Sequence, residues 1–316
     1  MISRVSRRSF IASLGSLGAA SVLPNRMLTS GLALSDFTSP AAPGSPQIRF
    51  GYAAITWGGN DVQAIKDVGE VGFRGIQLRS PILKDFGDKP KALADLLKQH
   101  KLEFVALSGG GPRATYNDAE EIATQVKHAT FMRDAGGRYL QMTDSARPKD
   151  RKPDSKDFKS LGRLLTEIGK RTTDLGIPMA YHNHMRSLGE APDEVDALMD
   201  AADPRYVKLL LDVAHYAQGG GDPAKAIRKH RDRILFLHIK DVESVAPTAE
   251  SANNYRFVEL GRGRVDLPAV FAALAEIKFR GWAIVELDSV PDKTRTPKDS
   301  AMISKKYIED KLGMKV

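Results

Sequence analysis

The 316-residue chain has no cysteine. A disulfide framework, a zinc ribbon, a thiolate cluster and a cysteine nucleophile are therefore excluded. The first 35 positions hold no acidic residue, and no segment repeats with a period of about 20–50 residues. Near the amino terminus lies only a weakly apolar run, ASLGSLGAASVL, broken by Gly15 and Gly18. It is shorter than the roughly 20 apolar residues of a spanning helix. Lys and Arg outnumber Asp and Glu by eight, but Arg4, Arg7, Arg8 and Arg26 sit in the acid-free segment, and beyond it the excess is four. The other basic residues interleave with acids, as in DAEEIATQVKHATFMRDAG, instead of forming the stripe a phosphate backbone requires. Charge gives no case for nucleic acid.

With 42% hydrophobic and 27% charged residues, the composition is that of a soluble globular chain, and the length suits one α/β barrel. At the amino terminus Ser6-Arg7-Arg8-Ser9-Phe10-Ile11 precedes the apolar run. This resembles a twin-arginine export signal, with Ala33-Leu34-Ser35 as a candidate cleavage site. The alternative is a basic tail with a chance arginine pair. The expected organisation is a signal peptide over residues 1–35, a Pro/Ser/Gly linker over 36–47 and a catalytic (β/α)8 barrel over 48–316. The signal implies the twin-arginine translocation machinery as a partner, a periplasmic destination and no stable membrane span in the mature form.

From Ile48 onward, short apolar runs alternate with amphipathic stretches of helical period, the pattern of parallel strands joined by crossover helices. The runs are IRFGYAA, RGIQLR, EFVALS, RYLQMT, IPMAYHN, VKLLLDV, ILFLHIK and WAIVELD. Eight such strands make a closed TIM barrel. Asn60, Asp118 and Asp222 are placed to cap helices, Pro223 to open one, and Gly72, Gly136 and Gly176 to end them. In such a barrel the chemistry lies at the carboxyl ends of the strands. A polar residue ending an apolar strand must face that mouth or be buried at a cost of a few kcal/mol unless paired.

Four of the seven histidines, His182, His184, His215 and His238, fall at or just past the ends of the fifth, sixth and seventh predicted strands, while His100, His128 and His230 fall on predicted helices or their ends. A lone strand histidine is more often a satisfied core residue than a ligand. Four together, with Asp212 and Glu286 at the equivalent ends of the sixth and eighth strands, reverse that expectation. Alternation of side chains puts His182 and His184 on one face, and likewise His238 and Lys240.

The segments YHNH (181–184), LLLDVAH (209–215), FLHIKD (236–241), ELGRGRVDL (259–267) and WAIVELD (282–288), in this order, resemble the xylose-isomerase-like barrel superfamily of sugar isomerases, epimerases and inosose dehydratases. The resemblance runs from about Ile48 to the end. It implies one divalent metal (Mn, Co, Mg or Zn) held at the positions of His182, Asp212, His238 and Glu286. The family's usual strand-five ligand is Glu, so the histidine departs from the epimerase pattern and leaves open whether His182 or His184 is the ligand. The YHNH form looks closer to the inosose dehydratases. The implied activity is isomerisation, epimerisation or dehydration of a sugar or polyol, the ion acting as Lewis acid for an enediolate. Glu286 is the candidate base, with His215 and Lys240 as candidate acids or substrate ligands.

His184, Arg262 and Trp57 are further candidate substrate contacts. Arg262 and Arg264 follow the seventh strand, a usual phosphate site in barrels, with a surface turn as the alternative. Trp57 and Tyr52 could wall a sugar ring or simply pack in the core. Gly109-Gly110-Gly111-Pro112 and Gly219-Gly220-Gly221 could admit a substrate to the backbone or be ordinary turns. Two other functions are weighed. An apurinic endonuclease needs histidines on strands two and three, where Gln77, Arg79, Ser108 and Gly109 stand, and another just after His238. A non-catalytic envelope sugar-binding protein usually has two lobes and a hinge, whereas this pattern closes one barrel.

Overall fold

The eight runs close on themselves. The computed structural model describes residues 48–111, 118–247 and 253–316; the twin-arginine segment and linker lie outside the described residues. The strands are β1 (Ile48–Ala53), β2 (Gly75–Arg79), β3 (Glu103–Ser108), β4 (Tyr139–Met142), β5 (Met179–His182), β6 (Val207–Asp212), β7 (Ile234–Ile239), β8 (Asp241–Ser244), β9 (Tyr255–Val258) and β10 (Gly281–Val285). All but β8 and β9 form one parallel ring, closed by β1 against β10. The fold is a (β/α)8 TIM barrel. β8 and β9 make an antiparallel hairpin outside the ring, which the sequence reading did not anticipate.

Helix punctuation follows local chemistry. The Asn60 side chain accepts from Gln63 N at 3.3 Å and Asp222 from Lys225 N at 3.1 Å, with Pro223 opening the helix after Asp222. Gly72, Gly136 and Gly176 end helices at φ of 102, 72 and 77°, the left-handed region where a Cβ is penalised. The helix Asp118–Asp134 begins at Asp118 itself, so a cap for it lies outside the described residues.

Two apolar layers hold the barrel. The larger lies between strands and helices; the smaller fills the barrel with Val105, Tyr139, Ala180, Leu210, Phe236, Trp282 and Ile284. Tyr139 and Phe236 stack at 5.3 Å. Trp282 packs so closely on Gly75 that a Cβ there would stand 2.5 Å from its ring, and the Arg49 guanidinium lies over that ring at 4.3 Å. On β5, β6, β7 and β10 the period of two makes the next inward residue polar. Above Ala180 stands His182, above Leu210 Asp212, above Phe236 His238 and Lys240, and above Ile284 Glu286.

Candidate metal centre and cavity

His182, Asp212, His238 and Glu286 each offer one donor atom, and these atoms lie within 4.8 Å of one another, all four residues buried. Asp212 Oδ2 is 3.4 Å from His182 Nε2 and 3.5 Å from His238 Nδ1, and Glu286 Oε2 is 3.4 Å from that same Nδ1. His182 Nε2, Asp212 Oδ2 and His238 Nδ1 have no hydrogen-bond partner. Three orphaned buried polar atoms aimed at one point are costly unless something joins them. A divalent cation fits: two imidazole nitrogens and two carboxylate oxygens are a borderline donor set.

The surroundings orient these donors. Asp212 ends β6 and also caps the helix Val213–Gln218, its Oδ1 accepting from Ala214 N at 2.9 Å and His215 N at 2.8 Å. Gln77 Oε1, on β2, lies 2.9 Å from His238 Nε2. An amide oxygen only accepts, so Nε2 carries the hydrogen and a neutral ring keeps its Nδ1 lone pair for the centre. Gln141 Nε2, on β4, lies 2.8 Å from His182 Nδ1 while its Oε1 has no partner. The reversed carboxamide has the same outline; it accepts from Nδ1–H and frees Nε2 for an ion. Neither glutamine was singled out from sequence as a support for the histidines. The signal was there: each is a polar residue inside an apolar strand, where burial demands a partner.

Lys240 is fully buried, its Nζ donating to Glu286 Oε1 at 3.0 Å and Asp288 Oδ1 at 2.5 Å, 3.3 Å from His215 Nε2 and 4.0 Å above the Phe257 ring. Burial works against its charge, but Asp288 and Glu286 outweigh it and hold the ammonium far above the ordinary lysine range. Lys240 thus offsets Asp288 and leaves Asp212 and Glu286, whose two charges a divalent ion would balance. Burial would raise these two carboxylates. It is outweighed by His215 and Lys240 at Asp212 and by His238 and Lys240 at Glu286, and both are held well below the usual range. Burial pushes His182 down to about 4, whereas at His238 burial is outweighed by Glu286 and Asp212 and the ring is raised to about 9. In the metal-free centre a proton on His238 supplies the cation.

β5 ends at His182, so strand alternation does not reach His184. The Asn183 carboxamide takes over the ladder, accepting from Asp212 N at 2.8 Å and donating to Asp212 O at 3.2 Å. His184 stands outside the four-donor group; its Nδ1 bonds Met185 O at 2.7 Å and its ring lies 3.8 Å from that of His215. Both line a cavity of about 570 Å3 with Asp288, Phe257 and Tyr255. Phe257 meets His215 edge-on at 4.7 Å.

Two expected substrate contacts lie elsewhere. Trp57 is buried, donates from Nε1 to Asp67 at 2.9 Å and packs edge-on against Tyr52 at 5.7 Å, so of the two expectations the core role is the one seen. Arg262 lines a neighbouring recess with Glu259, its Nη1 3.8 Å from Glu259 Oε2, and its loop is pinned by Asp241. Asp241 accepts from the main-chain nitrogens of Val242, Gly261, Gly263 and Val265 at 2.9–3.0 Å. A Cβ at Gly263 would lie 2.2 Å from Asp241 Oδ1, which is why ELGRGR needs that glycine. The Gly219 and Gly221 turns approach protein atoms, Glu190 O and the Tyr216 ring.

Residues 65–307 match the family described as xylose isomerase-like TIM barrel. The chain belongs to that family. Among curated relatives, the rhizopine catabolism protein MocC of Rhizobium meliloti is 29% identical over 78% of this chain and 83% of its own length. An inosose dehydratase of Lacticaseibacillus casei is 27% identical over 83% of this chain and 96% of its own. Among solved structures, the IOLI protein with a bound zinc atom superposes with a TM-score of 0.68 at 21% identity, over 83% of this chain and 97% of that one.

Proposed function

We propose that this protein is a divalent-metal-dependent enzyme of the isomerase, epimerase or dehydratase class, and within it a lyase that eliminates a β-oxygen from a keto-sugar or keto-polyol. The observation that carries the reading is the set of orphaned donors of His182, Asp212 and His238 converging with Glu286. His184 and His215 on the wall of the neighbouring cavity and the inosose dehydratase relatives support it. An ion held there supplies Lewis acidity that makes the C–H beside a carbonyl acidic enough for a weak base.

Glu286, kept ionised by Lys240, takes the proton from the carbon α to the carbonyl. His184, its Nδ1–H held by Met185 O, acts in its doubly protonated form, giving the Nε2 proton to the β-oxygen and ending as the neutral ring. The C–O bond breaks, the oxygen leaves as water or an alcohol, and the ring is left as an enone, with no net oxidation. Lys240 positions Glu286 and Asp288 and keeps its own proton. With no strand-five carboxylate, the site lacks the second base that a two-face proton exchange uses.

Purified protein with Mn, Co, Mg or Zn is offered 2-keto-inositol and 3-keto-glycosides, following enone absorbance and release of water or aglycone. Epimerisation of an unmodified ketose at C3, with solvent deuterium incorporated and no enone from the keto compounds, would overturn elimination. Residues 1–35 complete the proposal as a twin-arginine signal that exports the folded, metal-loaded enzyme to the periplasm. Arg7→Lys with Arg8→Lys should retain precursor inside; normal amounts of mature protein outside would refute export by this route.

A further inference from the structure

The cavity beside the metal centre is larger than a single sugar ring needs. Its 570 Å3 falls within the roughly 300–1,000 Å3 of sites that enclose drug-sized ligands, and a monocyclic keto-polyol leaves much of that space unfilled. Its lining is mixed. His184, His215 and Asp288 stand beside the four donors, Val245, Ala246 and Pro291 add apolar surface, and Arg186 and Arg256 line it as well. Tyr255 and Phe257 supply aromatic faces.

The hairpin builds those faces. Phe257 pairs with Val242 and Tyr255 with Ser244, so the two aromatic rings are two residues apart on one strand and share a face. Their centroids are 5.5 Å apart, and Phe257 in turn touches His215 and underlies Lys240. A continuous line of rings runs from His215 outward through Phe257 to Tyr255. Glu243 and Arg256 pair with each other across the hairpin at 2.5 Å, and Arg256 also lines the cavity.

We propose that the substrate is a glycoside bearing a flat, apolar aglycone, with the keto-sugar ring at the His184, His215 and Asp288 end and the aglycone against Tyr255. The assignment of the sugar end rests on the elimination reading above. The preference for an aglycone rests on the cavity alone and is tested separately, by binding. Full-length protein is titrated calorimetrically with phenyl and methyl β-glucoside and with a disaccharide, and kcat/KM is compared for the phenyl and methyl 3-keto-glucosides.

The phenyl compound should bind about tenfold tighter than the methyl one, the difference expected of one buried ring against an aromatic wall. Tyr255→Ala should bring that ratio near one, and Tyr255→Phe should restore it, which separates loss of a ring face from loss of folding. Equal binding of phenyl and methyl glycosides, tighter binding of the disaccharide, or a ratio untouched by Tyr255→Ala would each overturn the proposal. A phenyl preference in binding without elimination from either keto-glucoside would leave this inference standing and sink the elimination chemistry instead.

Discussion

Gln77 offers a test of the metal centre that leaves every proposed ligand in place. Gln77→Leu keeps the approximate volume on β2 and removes the acceptor 2.9 Å from His238 Nε2. In the metal-free protein the ring then has an alternative: it can release the Nε2 proton and keep the one on Nδ1, facing Asp212 Oδ2 at 3.5 Å and Glu286 Oε2 at 3.4 Å. In the metal-bound protein it has none, because Nδ1 is occupied and the Nε2–H is buried without a partner. The penalty therefore falls on the bound state. An unsatisfied buried donor costs about 1–3 kcal/mol, which corresponds to metal affinity lowered roughly 5- to 150-fold; losses of about 10- to 100-fold are usual when an outer partner of a ligating histidine is removed. The assay is competition against a chromophoric chelator, with thermal unfolding of the metal-free protein as control. Affinity within about twofold of wild type, with unchanged unfolding, would refute the claim that Gln77 fixes the tautomer.

Asp212→Ala, His238→Ala and Glu286→Ala should each lose bound metal by elemental analysis, since each removes one of four donors; a full equivalent retained in all three would refute the site. His215→Ala should keep the metal and lose turnover, because its main-chain N–H and not its ring bonds Asp212. Metal affinity should rise with pH by up to about tenfold per unit and level off near 9, because the ion displaces the proton from His238. The same proton stabilises the metal-free fold fully below the ordinary histidine value and is lost as pH rises through about 9. His182, held near 4, is neutral over that range and adds no slope; pH-independent affinity from 6 to 9 would contradict this. Asp241→Ala should destabilise the protein by about 3 kcal/mol, leaving several main-chain donors unpaired, and speed amide exchange at Gly261, Gly263 and Val265; unchanged exchange there would show that the loop is held by other contacts.

The barrel was readable because each strand is an apolar run whose period of two carries on into the mouth. Where the ladder passed to a side chain, as at Asn183, the boundary of β5 came out shorter than the apolar pattern implied. The hairpin was missed for a physical reason: YRFV is only four residues long, and its face is set by what covers the mouth, not by a core of its own. Histidines and acids at strand ends identified the groups that converge at the centre. Gln77, Gln141 and Asp288 stayed hidden because neutral amides and a second acid beside Glu286 carry meaning only once the neighbouring strands are known. Trp57 was ambiguous from sequence for the same reason, since Asp67, its partner, lies on the following helix.

Asp212 cannot be changed for one purpose alone. Its Oδ1 is the first anchor of the helix Val213–Gln218 and its Oδ2 stands among the four converging donors, so the residue is committed to one oxygen per task. A glutamate would move both oxygens by one carbon and an asparagine would keep the anchor at the expense of the charge. Because one of the two amides on Oδ1 belongs to His215, any pull on Oδ2 is transmitted to the backbone of the histidine on the cavity wall. A change of ion size at this centre should therefore be felt as a change in the reach of His215, and variants selected for a different metal are expected to carry compensating substitutions along that short helix and not among the other donors.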